Sequence, residues 1–183
     1  KYKRNKKTTE KIITLVPGSR MSEVKRLLPL MRNIAERMAR DGYMGYKFVI
    51  PTVETTAEYV HNETAHWRVK PILVPSNERY NIYSKTYIAI AASGTVSAEL
   101  AMLHVPTIVV YKMNAITTII ARILVKIKWV SLVNILLNRT VFPEFLGPAA
   151  TVDNIMDAVQ QLTIPSKREK MISDLESADK LWL

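Results

Sequence analysis

Ala92-Ser93-Gly94-Thr95-Val96-Ser97-Ala98-Glu99 follows an apolar run at 86–91 and opens a helix-like stretch at 95–103. Strand, small-residue turn and helix in succession is how α/β folds hold phosphates, because the turn's N–H groups and the positive end of the helix face an anion. Glu99 stands about one turn into that helix, where a carboxylate can accept two hydrogen bonds from a ribose diol. The same octapeptide also reads as structural punctuation, with Glu99 an ordinary first-turn acid favoured by the helix dipole. The glycine pattern lacks both the dinucleotide fingerprint and a Walker lysine, which disfavours a hydride-transfer cofactor and an ATPase and leaves a nucleotide or sugar nucleotide.

The alternation extends outward from this stretch. Residues 11–16 form a β-rich apolar run ending in Pro17-Gly18, and 21–40 carry leucines and methionines at helical spacing. Residues 46–50 repeat the strand signal and 53–67 a weaker helix; 71–74 with 77–85 follow, and 106–111 supply a fifth strand. Such alternation predicts an α/β fold, a Rossmann-like parallel sheet covered by helices. Further on, 116–130 read as an apolar helix with a basic face, 131–136 as a short apolar run and 152–162 as an amphipathic helix. Ser166 and Glu169 form a capping box after Pro165, which predicts a helix over 167–183 that is cut short at Leu181-Trp182-Leu183. The expected organisation is a basic linker or tail at 1–10, a nucleotide-binding domain at 11–165 and a terminal helix at 166–183.

A chain of 183 residues with 48% hydrophobic content is long and apolar enough for one compact domain with a real core. Arg122, Lys126 and Lys128 interrupt the most hydrophobic region, 116–136, so a membrane span is not expected and the chain reads as soluble or peripheral. The absence of cysteine excludes disulfides, thiolate catalysis and zinc–thiolate sites, and the cytoplasm is the simplest compartment. Lys1-Tyr2-Lys3-Arg4-Asn5-Lys6-Lys7 lacks the apolar run of a secretory signal and an initiator methionine, which points to a chain cut from something longer. A net charge of +10 favours anionic partners without choosing among phosphorylated substrates, nucleic acid and an anionic bilayer. His61, His66 and His104 are too few and wrongly spaced for a zinc site; Asp153 and Asp157 share one helical face and read as solvated.

Pro17-Gly18-Ser19-Arg20 occupies the carboxyl end of the first predicted strand, where open α/β sheets bind ligands. Ser19 is placed to cap the following helix and Arg20 to point into the crevice, where a guanidinium can bind two phosphate oxygens and stabilise charge on a nucleoside-diphosphate leaving group. The plainer reading makes Ser19 a cap alone and Arg20 a solvated surface residue.

Five motifs in order carry a resemblance. They are Leu15-Val16-Pro17-Gly18-Ser19-Arg20 with Glu23-Val24 and Leu28-Pro29; Ala92-Ser93-Gly94-Thr95 with Glu99; Val109-Val110-Tyr111-Lys112; Leu124-Val125-Lys126; and Val130-Ser131-Leu132-Val133-Asn134-Ile135-Leu136. From about Lys11 onward the chain resembles the C-terminal half of the lipid-A-disaccharide synthase family. The resemblance implies the donor-binding domain of a GT-B glycosyltransferase with two Rossmann-like domains and no metal or other cofactor. It implies transfer of 2,3-diacylglucosamine from UDP to 2,3-diacylglucosamine 1-phosphate at the inner face of the bacterial inner membrane, by a peripheral enzyme that forms a homodimer and binds no nucleic acid.

Carried over by position, Arg20 and Asn134 are the implied catalytic residues, acting around the diphosphate or transferred sugar. Glu99 is implied to hold the ribose and Ser19, Ser93, Gly94, Thr95, Tyr111 and Lys112 the remainder of the donor. Val133 stands where the family usually has proline, which predicts a looser loop presenting Asn134. The family's N-terminal domain and its acidic catalytic candidate are not among these residues, so the chain alone is expected to bind UDP and turn over little substrate. Two other readings stand beside this one: another UDP-sugar transferase or epimerase domain, and a non-catalytic basic module binding polyanions.

Overall fold

The computed structural model of the chain describes residues 10–112 and 128–181. Six strands, β1 (Lys11–Val16), β2 (Tyr46–Thr52), β3 (Ile72–Pro75), β4 (Thr86–Ala92), β5 (Thr107–Tyr111) and β6 (Glu144–Leu146), form one sheet in the order β3-β2-β1-β4-β5-β6. Every pairing is parallel, as strand–helix–strand crossovers require. The central strands read as nearly continuous apolar runs because both their faces are covered: Ile13, Leu15, Ile88 and Ile90 pack in one cluster, and Val16, Ala89 and Ala91 in another.

Seven α-helices are described. They are α1 (Met21–Arg40), α2 (Glu54–Thr64), α3 (Arg79–Lys85), α4 (Thr95–Met102), α5 (Leu132–Leu137), α6 (Val152–Thr163) and α7 (Pro165–Ser177). In α1, Val24, Leu27, Leu28, Met31, Ile34, Ala35 and Met38 recur at three- and four-residue spacing and are buried against the sheet. Each large side chain of that stripe contributes about 1.5–3 kcal/mol by leaving water. Pro29 lies on the exposed face of the same helix.

The strand–helix alternation and the Rossmann-like class are as the sequence predicts. Several local expectations are corrected. The short apolar run at 131–136, expected to present Asn134 from a loop, is instead helical over Leu132–Leu137, with Val133 buried in the first turn. The final helix begins at Pro165 with Ile164 as N-cap and no side-chain cap bond, so Ser166 and Glu169 form no capping box. Proline takes the first position instead, where a missing N–H costs nothing. That helix ends at Ser177, and a short 3-10 turn, Ala178–Leu181, follows.

Strand β6 has no counterpart in the sequence reading; its three residues pair with Val109, Val110 and Tyr111. Helix α7 packs into the main core through Met171 and Leu175, and Arg168 donates to the Tyr87 carbonyl at the sheet. The basic stretch 1–9, most of the predicted helix 116–130 and the last two residues lie outside the described residues. No helix among the described residues is long and apolar enough to cross a membrane.

Candidate functional site

Strand order reverses at β1, whose sequence successors run one way through β2 and β3 while β4 pairs on its other side. The turns leaving β1 and β4 therefore diverge and leave a crevice beyond their carboxyl ends, the place where open α/β sheets bind ligands. A cavity of about 480 Å³ occupies it, lined by the Gly18–Arg20 turn on one side and by Ser93, Gly94, Thr95 and Glu99 on the other. The topology thus brings together Ser19, Arg20, Ser93, Gly94, Thr95 and Glu99.

Both turns depend on glycine. Gly94 has φ +139° and caps α4, a backbone that L side chains rarely adopt. Gly18 has φ +107°, and a Cβ there would sit 2.5 Å from Glu23 Oε2. Ser93 N–H is committed to the Val110 carbonyl at 3.1 Å, and Ser97 N–H turns back to the Gly94 carbonyl at 3.1 Å. Gly94, Thr95 and Val96 line the cavity, and their amides are among the donors at a helix start that the helix cannot satisfy internally.

Ser19 is not the cap of α1. Arg20 holds that position, without a side-chain cap bond, and its carbonyl accepts from Glu23 and Val24 N–H at 3.0 Å. Its guanidinium is largely exposed and makes one long contact, 3.5 Å, with Glu23.

Glu99 has a partner that the sequence reading missed. Arg79, from the start of α3, donates through Nε to Glu99 Oε2 at 3.3 Å, through Nη1 to the Ser76 carbonyl at 3.0 Å and through Nη2 to the Tyr80 hydroxyl at 3.0 Å, and it lies over the Tyr80 ring. Three anchors and a stacked face hold the guanidinium still, and it in turn orients the carboxylate. Tyr83 closes the floor; burial first, then the Glu99 charge, holds its hydroxyl far above the usual phenol range. Nothing local to 76–80 signals this role, because the pairing spans twenty residues and depends on α3 docking beside α4.

Tyr111 and Lys112 line a smaller adjoining cavity that shares Arg20, Glu23, Ala92 and Ser93 with the main one. Asn134 is not brought to the crevice. It is fully buried, donates to the Phe142 carbonyl at 2.8 Å and to Glu144 Oε1 at 2.7 Å, and accepts from Val141 and Phe142 N–H at 2.7 and 2.9 Å. Glu144 also accepts from Val130 N–H and from Ser131 N–H and hydroxyl, so Asn134 and Glu144 together tie the start of α5 to β6. A side chain with every polar atom so engaged is a structural clasp.

The family profile described as lipid-A-disaccharide synthetase matches residues 1–180. The chain belongs to the lipid-A-disaccharide synthase family. It is 35% identical over 174 residues to the lipid-A-disaccharide synthase of Rhodospirillum centenum, covering 94% of this chain and 43% of that protein. It is 34% identical over 165 residues to the one from Myxococcus xanthus, covering 89% and 43%. The chain therefore spans about two fifths of the length of these relatives. Among solved structures, a Listeria monocytogenes protein assigned as a UDP-N-acetylglucosamine 2-epimerase superposes with TM-score 0.59 at 15% identity over 89% of this chain and 39% of its own. TarM does so with TM-score 0.56 at 13% identity, covering 97% and 33%. At such identities these neighbours establish the fold alone, a Rossmann-like domain of the GT-B kind.

Proposed function

We propose that this chain holds the nucleotide of the sugar donor in lipid A disaccharide synthesis, the transfer of 2,3-diacylglucosamine from UDP to 2,3-diacylglucosamine 1-phosphate. The observation that carries the reading is the convergence of Arg20, the first-turn amides of α4 and Glu99 on one cavity, in a chain of this family. The diphosphate lies against the amides of Gly94, Thr95 and Val96, and the ribose diol donates to Glu99, which Arg79 keeps oriented. Ser19 and Ser93 line the diphosphate, and Tyr111 and Lys112 flank its far end.

In the transfer, an acceptor hydroxyl attacks the anomeric carbon. The bond from that carbon to the diphosphate oxygen breaks, and UDP leaves with the electron pair. Arg20 stabilises the charge that grows on the leaving oxygens, an effect felt more in the transition state than in the bound substrate. The base that takes the hydroxyl proton belongs to the part of the enzyme that this chain does not span. Because donor and acceptor are both acylated, the enzyme works peripherally on the inner face of the bacterial inner membrane; a homodimer is what membership of the family implies.

Calorimetric titration with UDP tests the reading. Saturable binding is expected, weakened roughly tenfold or more by Arg20→Ala and by Glu99→Ala, the scale of a lost charge-assisted hydrogen bond. A folded chain that does not bind UDP would refute it.

A further inference from the structure

Beside the nucleotide cavity lies the smaller one, about 150 Å³, reached across Arg20 and Ser93. Its wall is cationic. Arg20 comes from the turn after β1, Arg26 from α1 and Lys112 from the end of β5, against a single carboxylate, Glu23. Ser22 stands one helical turn before Arg26 on the same face of α1, and with Tyr111 it adds hydroxyl groups to the wall.

What sets Arg26 apart is how its neighbours are paired. Of the other arginines of α1, Arg32 bonds Glu36 at 2.9 Å, Arg37 bonds Asp41 at 2.5 Å and Arg40 lies 3.8 Å from Asp41. Among the described residues Arg26 and Lys112 have no ion-pair partner, and Arg20 has only its long contact with Glu23. Arg20, Arg26 and Lys112 line this small space with one acid among them, which gives it a positive potential that favours an anion. Two arginines and a lysine lining one cavity suit a tetrahedral phosphoryl group, which guanidinium binds in bidentate fashion.

We infer that this cavity is a phosphoryl subsite separate from the first turn of α4, with Arg26 as a binding residue. The inference rests on the nucleotide reading above. The shared chemistry is a phosphoryl group, which arrives either as the terminal phosphoryl of the nucleoside diphosphate or on a separate phosphomonoester.

Titrations of the parent, Arg26→Gln, Arg26→Lys and Lys112→Gln with UMP, with UDP and with inorganic phosphate test it, each variant checked for native circular dichroism. The parent is expected to bind UDP more tightly than UMP. Arg26→Gln and Lys112→Gln should each shrink that preference about tenfold or abolish phosphate binding, and Arg26→Lys should restore part of the loss. Phosphate that titrates into the UMP complex but not the UDP complex identifies the subsite with the nucleotide's own terminal phosphoryl. Phosphate that titrates into both identifies a separate phosphomonoester. An unchanged UDP-to-UMP preference together with unchanged phosphate binding in folded Gln variants overturns the subsite while leaving the nucleotide site standing. A parent that binds neither nucleotide overturns both.

Discussion

Replacing Asn134 with alanine separates a clasp from a ligand. The substitution removes four hydrogen bonds at once and strands the N–H groups of Val141 and Phe142 and the carbonyl of Phe142, all on buried residues. Each stranded buried polar group costs about 1–3 kcal/mol, and a water entering the vacated space recovers part of that, so the expected loss is about 3–5 kcal/mol. That is a large fraction of the roughly 5–15 kcal/mol available to a domain. In a chain of this size it lowers the thermal midpoint by about 6–20 °C, taking about 2–4 °C per kcal/mol. Glu144 keeps its bonds from Val130 and Ser131, so the start of α5 is loosened but not released. Urea unfolding followed by circular dichroism measures the loss, and UDP calorimetry well below the variant's transition measures the site. A large drop in stability with UDP affinity intact is expected. Native stability with UDP binding lost would refute the reasoning and make Asn134 a ligand residue.

Three further outcomes are expected. Gly18→Ala places a side chain at φ +107° and a Cβ 2.5 Å from Glu23 Oε2, so the turn is strained by about 1–3 kcal/mol; a urea midpoint equal to the parent's would show that the turn relaxes freely. Arg79→Ala frees Glu99, so it should weaken UDP more than 2′-deoxy-UDP in paired titrations, whereas equal losses would place Arg79 outside ribose recognition. Burial, with Tyr87 and Tyr43 adding to it, pushes the Tyr46 hydroxyl up to about 12 from its ordinary 10.0. A raised folded value favours the neutral phenol, so the stability it contributes is whole below pH 10.0 and is lost as pH climbs toward about 12. Tyr46→Phe should flatten the fall of the urea midpoint across that window, and an unaltered slope would count against it.

Much of the fold was legible because its signals are local. Strands β1, β2, β4 and β5 are short apolar runs closed by Pro-Gly, charged or small-residue breaks, and α1 repeats its apolar residues at helical spacing. The two glycine turns, and with them Arg20, Gly94 and Glu99, follow from the same local grammar: a parallel sheet puts successive strand ends on one edge, so motifs 75 residues apart in sequence meet at the crevice. Three residues of β6 carry too little periodicity to be seen, and they form a strand because β5 offers an unpaired edge.

Residue types and turn chemistry therefore determined the class of fold and the two turns that line the site. Tertiary structure alone decided that Arg79 reaches Glu99, that Arg26 joins Arg20 in lining a second cavity, and that Asn134 is spent on Val141, Phe142 and Glu144. The physical reason is that propensity and capping act over a few residues. A side chain's partner is chosen by which elements dock beside it, and an asparagine reads the same in sequence whether its amide meets a substrate or the backbone of the next strand.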